Sequence, residues 1–340
     1  MMKRFESDYL EGAHPDVLRA LIETNGEQTP GYGEDPHCEA ARALLRERCA
    51  LPEGEVQFLV GGTQVNRTVI ASILRPHQGV VAADTGHIAA HETGAIENSG
   101  HKVLTVPNTD GKIAAAQVEE LCRAHYADAS FEHTVQPGMV YISNPTEFGT
   151  VYTRGELEAL HAVCKARHLP LFIDGARLGA ALYSPVCDYT LADMAHMCEV
   201  FTIGGTKMGL LFGEAELAKD FRYFVKQNGG MLAKGRLLGV QFYAAFKDGL
   251  YDRIGAEEVR LALRLRDGFR ARGWTFLVES PSNQQFPILP DALIERLKPE
   301  FSCSHTQSFP NGMSAVRFCT SWATTDADID ALLDAVPINA

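Results

Sequence analysis

Short apolar runs alternate with helically spaced stretches along the first two-thirds of this 340-residue chain, and no other feature narrows its fold as far. Strand-like runs fall at 56–60, 79–84, 102–106, 139–143, 171–174 and 200–203. Between them, apolar residues recur at helical spacing through Val69, Ile70 and Leu74, over 115–125 and over 157–167. A chain built this way winds helices over both faces of a mostly parallel sheet. Leu210-Leu-Phe212 predicts one further strand, returning as a hairpin. Ligands of such sheets bind beyond the carboxyl ends of the strands. The residues there are Gly61-Gly62-Thr63, His87, Asn144, Asp174 and Lys207.

Lys207 ends Phe201-Thr-Ile-Gly-Gly-Thr-Lys207-Met-Gly209, where Gly204, Gly205 and Gly209 let backbone and a planar ligand approach closely. An amine held among apolar groups near another cation is disfavoured as an ammonium, so it can attack a carbonyl and form a Schiff base. Asp174 closes the apolar run of Pro170-Leu-Phe-Ile-Asp174 with a carboxylate suited to a ring nitrogen. Pyridoxal 5'-phosphate needs both groups, a lysine for its aldehyde and an acid that keeps its pyridine nitrogen protonated. Taken singly, each residue also has a plain reading, Asp174 as a helix cap and Lys207 as a surface lysine.

Val56-Gln-Phe-Leu-Val60 runs into Gly61-Gly-Thr63 and then a helix, which outlines a phosphate cradle of free N–H groups with the Thr63 hydroxyl beside them. The spacing is that of neither a P-loop nor G-x-G-x-x-G. His87 and His91 stand four apart, but the run is not H-E-x-x-H and no third ligand is apparent, so no metal is expected. His87, just past a strand, is placed to stack on a cofactor ring, whereas His91 reads as an ordinary helix histidine. Asn144-Pro-Thr146 offers an amide and a hydroxyl to ring substituents, or else a simple Asn-Pro turn.

The flanking segments are less informative. Two helical stretches between residues 14 and 45 are split by Thr29-Pro-Gly-Tyr32-Gly-Glu-Asp-Pro36, a loop punctuated enough to present Tyr32 to a site. Helices are expected after residue 216 and from 237 to 246. A long helix over 256–270 leads to a small α+β region with strands at 275–278, 285–289 and 315–319 and helices at 291–297 and 326–335. Arg317 lies alone in the apolar Ala315-Val-Arg-Phe-Cys319 and wants a carboxylate partner, internal or from a ligand. Division into 1–250 and 251–340 follows. With 31 basic against 43 acidic residues and a formal net charge of −12, a nucleic-acid surface is not expected. No run reaches membrane length, and eight cysteines without C-x-x-C pairing fit reduced thiols of a cytoplasmic protein.

Seven segments carry a resemblance: Tyr32-Gly-Glu-Asp-Pro36, Gly62-Thr63 with Asn66, Ala83-Asp-Thr-Gly-His87, Thr146-Glu-Phe-Gly-Thr-Val-Tyr152, Ile173-Asp-Gly-Ala-Arg177, Gly204-Gly-Thr-Lys207 and Arg317-Phe-Cys-Thr-Ser-Trp322. In these the chain resembles the low-specificity threonine aldolases of the β-eliminating lyase family, fold-type I pyridoxal phosphate enzymes. The resemblance implies an aspartate-aminotransferase-like fold with a large, mostly parallel seven-stranded sheet domain and a small C-terminal domain. It implies Lys207 as the cofactor's covalent attachment, Asp174 at the pyridine nitrogen, His87 stacked on the ring and Gly62-Thr63 on the phosphate. By the same resemblance Ser7, Arg177 and Arg317 hold the substrate carboxylate. The enzyme would be a dimer of dimers, with Tyr32 and Lys226, and Lys234 or Arg236, reaching a partner's site. Thr206-Lys-Met-Gly209 departs from the family's commoner Ser-Lys-Gly, which bears on substrate preference and not on the cofactor.

The reaction implied is retro-aldol cleavage of a β-hydroxy amino acid such as threonine into glycine and acetaldehyde. Candidates for the base at the β-hydroxyl are His87, a water bound to it, or a histidine of the 125–133 stretch. An aminotransferase or another β-eliminating lyase would use the same lysine and aspartate. A nicotinamide dehydrogenase lacks its glycine fingerprint here.

Overall fold

The computed structural model describes residues 2–204, 209–213 and 215–339. Its centre is a seven-stranded sheet made of β1 (Glu55–Phe58), β2 (Gln78–Ala83), β3 (Val103–Val106), β4 (Gln136–Ser143), β5 (Leu171–Asp174), β6 (Val200–Ile203) and β7 (Gly209–Phe212). They lie in the order β1-β7-β6-β5-β4-β2-β3. All neighbours pair in parallel except β7, which runs against both β6 and β1, so the expected hairpin forms.

Both faces of this sheet are covered, which is why its strands read as continuous apolar runs and not as alternating ones. Val81, Val140, Ile142, Leu171, Ile173 and Phe201 point into one core. Their neighbours Val80, Met139, Tyr141, Phe172 and Val200 point into the other, which the helix Gly62–Ile73 closes with Val65, Val69 and Ile70. Two glycines hold the strand ends together. A Cβ on Gly175 would stand 2.2 Å from Thr202 O, and one on Gly204 would stand 2.0 Å from Ala176 O, so only glycine lets β5 and β6 finish this close.

A third core gathers Leu261, Leu265 and Phe269 of the helix Leu250–Ala271 with Leu289, Val316, Phe318 and Ile329. Phe5 is buried in it as well, because Lys3–Arg4 pairs in parallel with Phe301–Ser302. The N-terminal arm thus packs with the C-terminal part of the chain. The long helix starts at Leu250, earlier than its periodicity suggests, on a left-handed Gly249 with φ 66°. Strand character expected at 275–278 is reduced to a single bridge between Phe276 and Pro287. Ser304–Phe309, which carries no apolar alternation, is instead a strand at the edge of the antiparallel sheet around Met313–Cys319.

Candidate active site

The site lies where β2, β4, β5 and β6 end, on the sheet face covered by the helix Gly62–Ile73. Its floor is Asp174, the last residue of β5, which is 5% exposed. Tyr141 OH at 2.7 Å and Asn66 Nδ2 at 3.0 Å donate to Oδ2. Thr202 Oγ1 at 3.2 Å and the Ala176 N–H at 3.0 Å donate to Oδ1. Tyr141 and Thr202 come from the two strands that flank β5, so the sheet itself aims this carboxylate. Burial, with the Asp174 charge beside it, pushes the Tyr141 phenol well above its ordinary range, so it is a donor and not a phenolate.

A polar chain leads from this floor to His87. Asn66 Nδ2 also donates to Glu92 Oε1 at 2.7 Å, and the same oxygen meets His87 Nδ1 at 2.7 Å. Glu92 is buried. Its hydrogen bond raises the His87 pKa above 6.5 against the opposing effect of burial, with the Asp174, Glu92 and Glu147 charges adding to it. His87 is therefore held by one nitrogen and kept in orientation.

Beside His87 opens a cavity of roughly 580 Å³ whose wall includes His91, Glu147, Arg177, Gln284 and Arg317. Arg317 donates from Nη2 to Glu6 O at 3.0 Å and from Nη1 to Gln284 Oε1 at 3.3 Å, while its buried Nε has no partner. The internal carboxylate that the sequence asks of it is absent among the described residues. Ser7, next to Glu6, likewise has a buried hydroxyl without a partner. Arg177 differs: its fork grips Asp8, Nε to Oδ2 at 2.6 Å and Nη2 to Oδ1 at 3.0 Å, with Asn283 Nδ2 also on Oδ2 at 3.0 Å. Burial opposes the charge of Asp8, but the Arg177 charge and hydrogen bonds hold it below 3.8.

The helix Gly62–Ile73 begins without a side-chain cap, and a Cβ on Gly61 or Gly62 would meet nothing within 4 Å. Gly61 is extended at φ −169°, a conformation open to any residue, so neither glycine is demanded by packing. Space and free N–H groups stand there together with the exposed Thr63. Asn66 lies one turn further along, which ties this end to Asp174.

Lys207 falls outside the described residues. Asn144 is placed elsewhere than expected. It is fully buried, donates to Tyr189 OH at 2.6 Å and accepts from the Tyr152 N–H at 3.2 Å, so its amide braces the turn instead of facing the cavity. The histidines of the 125–133 stretch are also far from this end, because they precede Gln136 at the amino end of β4. Tyr32, Lys226, Lys234 and Arg236 line no part of the cavity. Two of them meet: Lys226 Nζ sits 5.2 Å from the Tyr32 ring centre, and the Tyr32 N–H donates at 3.2 Å to Ala233 O, next in the chain to Lys234. Tyr32 is left-handed at φ 61°, a strained choice for an aromatic residue and one that tends to mark functional positions.

Sequence reasoning passed over Asp8, Glu92, Tyr141 and Glu147, and it gave His91 no role. Glu147 sits in the quoted run Thr146-Glu-Phe-Gly, and Asp8 follows Ser7, but neither has a spacing that singles it out.

A family model described as beta-eliminating lyase matches residues 5–286. The chain belongs to that family. Two curated low-specificity L-threonine aldolases are each 29% identical to this lyase. One, from Pseudomonas sp. strain NCIMB 10558, aligns over 97% of this chain and 96% of its own; the other, from Pseudomonas aeruginosa, over 96% and 94%. The solved structure of a Leishmania major threonine aldolase matches with a TM-score of 0.94 at 42% identity over 97% of both chains. An aspartate aminotransferase from Thermus thermophilus matches with a TM-score of 0.70 at 16% identity, over 98% of this chain and 90% of its own. That last likeness shows the fold alone, which is the expected α/β architecture.

Proposed function

We propose that this lyase is a pyridoxal phosphate-dependent threonine aldolase, cleaving small β-hydroxy-α-amino acids such as threonine or allo-threonine into glycine and an aldehyde. The observation that carries the reading is the meeting, at one end of the sheet, of the chain His87–Glu92–Asn66–Asp174 with Arg317, which has no carboxylate partner among the described residues. Near-full-length similarity to threonine aldolases selects the carbon–carbon cleavage from the chemistry this fold supports.

The residues fit the cofactor. The open N-terminus at Gly62 and Thr63 accepts a phosphate. Asp174 would hold the proton of the ring nitrogen, and His87 would stack on the ring. Lys207 is the proposed covalent attachment. When bound, pyridoxal 5'-phosphate supplies an electron sink for the charge left at Cα. Arg317 and Ser7, with unpartnered buried donors, receive the substrate carboxylate. Arg177 lines the cavity with its fork already on Asp8, so its contribution is to shape that pocket more than to bind directly.

We further propose a homo-oligomer, a dimer of dimers, in which Tyr32, Lys226, Lys234 and Arg236 serve a partner's site. A cytoplasmic location is supported by eight cysteines that are all free. No described helix is long and apolar enough to cross a membrane. The functional reading is tested by supplying the cofactor-loaded protein with threonine and allo-threonine. Equal amounts of glycine and acetaldehyde are expected. A keto acid, or ammonia released from serine, would assign the site to an aminotransferase or to a different lyase.

A further inference from the structure

Cleavage moves one proton from the β-hydroxyl to the carbon that becomes the methylene of glycine, and the aldol reading leaves open which side chain carries it. His87 is poorly suited to take it, because Glu92 already holds its Nδ1 and favours the protonated ring. The histidines before β4 are at the wrong end of the sheet. Besides the two arginines, the cavity wall carries Glu147, His91, Asp84, His305 and Tyr9. The last three are exposed, with Asp84 Oδ1 taken by the Asn108 backbone N–H and Nδ2 and His305 Nε2 on Ser308 Oγ, which leaves Glu147 and His91 to weigh.

Glu147 is built in. Its Oε1 accepts from Ser143 Oγ at 2.6 Å and from the His87 N–H at 2.8 Å. Ser143 ends β4 in register with Asp174 of β5, so the carboxyl is anchored to the same strand ends as the floor of the site. Both bonds fall on Oε1. The carboxyl lies on the cavity wall, where Oε2 is the oxygen that Ser143 and the His87 N–H leave unclaimed. His91, by contrast, is exposed and touches its surroundings through a ring contact with His87 at 5.8 Å.

We propose that Glu147 is the catalytic acid–base of this lyase, its Oε2 taking the β-hydroxyl proton as the Cα–Cβ bond breaks and returning the same proton to Cα. The proposal rests on the aldol reading above. The step balances without a co-reactant: the O–H bond gives its proton to the carboxylate, its electron pair forms the aldehyde carbonyl, and the carboxylic acid so formed protonates Cα. Burial pushes the Glu147 carboxyl above its ordinary 4.5, only partly offset by the Ser143 hydrogen bond and the His87 charge. A group that must both accept and donate near neutrality works best in that direction. The titratable groups that face it are His87 with Glu92 behind, Asp174 and Tyr141 in the sheet, and Tyr152 on its own turn. Tyr9, Asp84, His91, Arg177, His305 and Arg317 complete the ionisable lining of the cavity.

The test uses the cofactor-loaded oligomer. Glu147→Gln keeps an acceptor for Ser143 and for the His87 N–H, so the bound-cofactor visible spectrum and the affinity for glycine should stay within about twofold. Its kcat for threonine should fall by about 10²-fold or more, the acid limb of the kcat/KM profile should vanish, and acetate or formate should restore part of the activity of Glu147→Ala. An infrared band of a protonated carboxyl, titrating with that limb in the wild type, should be missing from Glu147→Gln. A wild type that cleaves threonine beside a Glu147→Gln variant of near-normal kcat and unchanged acid limb would overturn the proposal and leave the aldol reading intact. Loss of that limb in His91→Asn, with Glu147→Gln unaffected, would transfer the role to His91. A wild type that makes no glycine from threonine would instead defeat the reading on which the proposal stands.

Discussion

Asp8, Arg177 and Glu258 show how single residues set the electrostatics behind the cavity. Asp8 is held below its ordinary value and Glu258 well above, the latter mainly by burial and then by the Asp8 charge, and Arg177 lines the same small pocket as both. The two carboxyls are driven apart, Asp8 toward its ionised form and Glu258 toward its protonated one. Glu258 binds its proton more tightly folded than unfolded, so it costs stability as pH rises from about 4.5 toward its folded value. Glu258→Gln should therefore become progressively more stable than the wild type on going from pH 4.5 to 8, read from urea midpoints; a difference that is flat with pH would contradict this. The sign for Asp8 is opposite. Its contribution is present above 3.8 and is lost as pH falls through its lowered value. Removing its charge leaves Arg177 buried and unpaired, so Asp8→Asn should cost about 3 kcal/mol in the same measurement at pH 7. None of this was legible beforehand, because the partners are 169 positions apart in the chain.

At the level of elements, the seven-stranded sheet was readable because both of its faces are buried and its strands are uninterrupted apolar runs. The edge strand Ser304–Phe309 was not, since a strand exposed along one side needs no apolar pattern. Residues at strand ends were legible for the same reason as the strands: Asp174, His87 and the Gly61-Gly62-Thr63 turn follow directly from where the apolar runs stop. Asn144 stood in an equivalent place but turned inward, a choice made by Tyr189 and Tyr152 that no local pattern reveals. The helix Gly62–Ile73 gives the sharpest test of an element's role. Gly61→Asp places a carboxylate where a Cβ meets no neighbour, so folding should be nearly unaffected, within about 0.5 kcal/mol. Cofactor affinity should fall at least tenfold, because the new charge caps the N–H groups meant for phosphate. A variant that binds pyridoxal phosphate normally, by fluorescence titration, would remove the cradle from the account. Gly175→Ala should do the reverse, destabilising by about 2 kcal/mol or more as β5 and β6 are forced apart.

For the molecule as a whole, we propose the division into 1–250 and 251–340, with an arm that crosses it: Phe5 is 1% exposed in the third core, and Arg317 reaches back to Glu6 O. The arm brings Asp8, with Ser7 beside it in the chain, onto Arg177 of the cavity wall from the far end of the chain. Phe5→Ala should cost about 3 to 4 kcal/mol and weaken binding of amino acids along with stability. The cluster around Tyr32 predicts shared sites: mixing Lys207→Ala with Tyr32→Ala subunits should restore part of the activity that each lacks alone, and a mixture as inactive as its parents would argue for self-contained protomers. A threonine aldolase makes as well as breaks the bond between a glycine carbon and an aldehyde, which NMR of the cofactor-loaded protein with glycine and acetaldehyde in heavy water reads out, with Lys207→Ala as control. Deuterium at one α-position of glycine and the appearance of threonine or its β-epimer are expected, neither of them with the control. Cofactor-loaded protein that forms no carbon–carbon bond with acetaldehyde or any of several other aldehydes would contradict the proposed function.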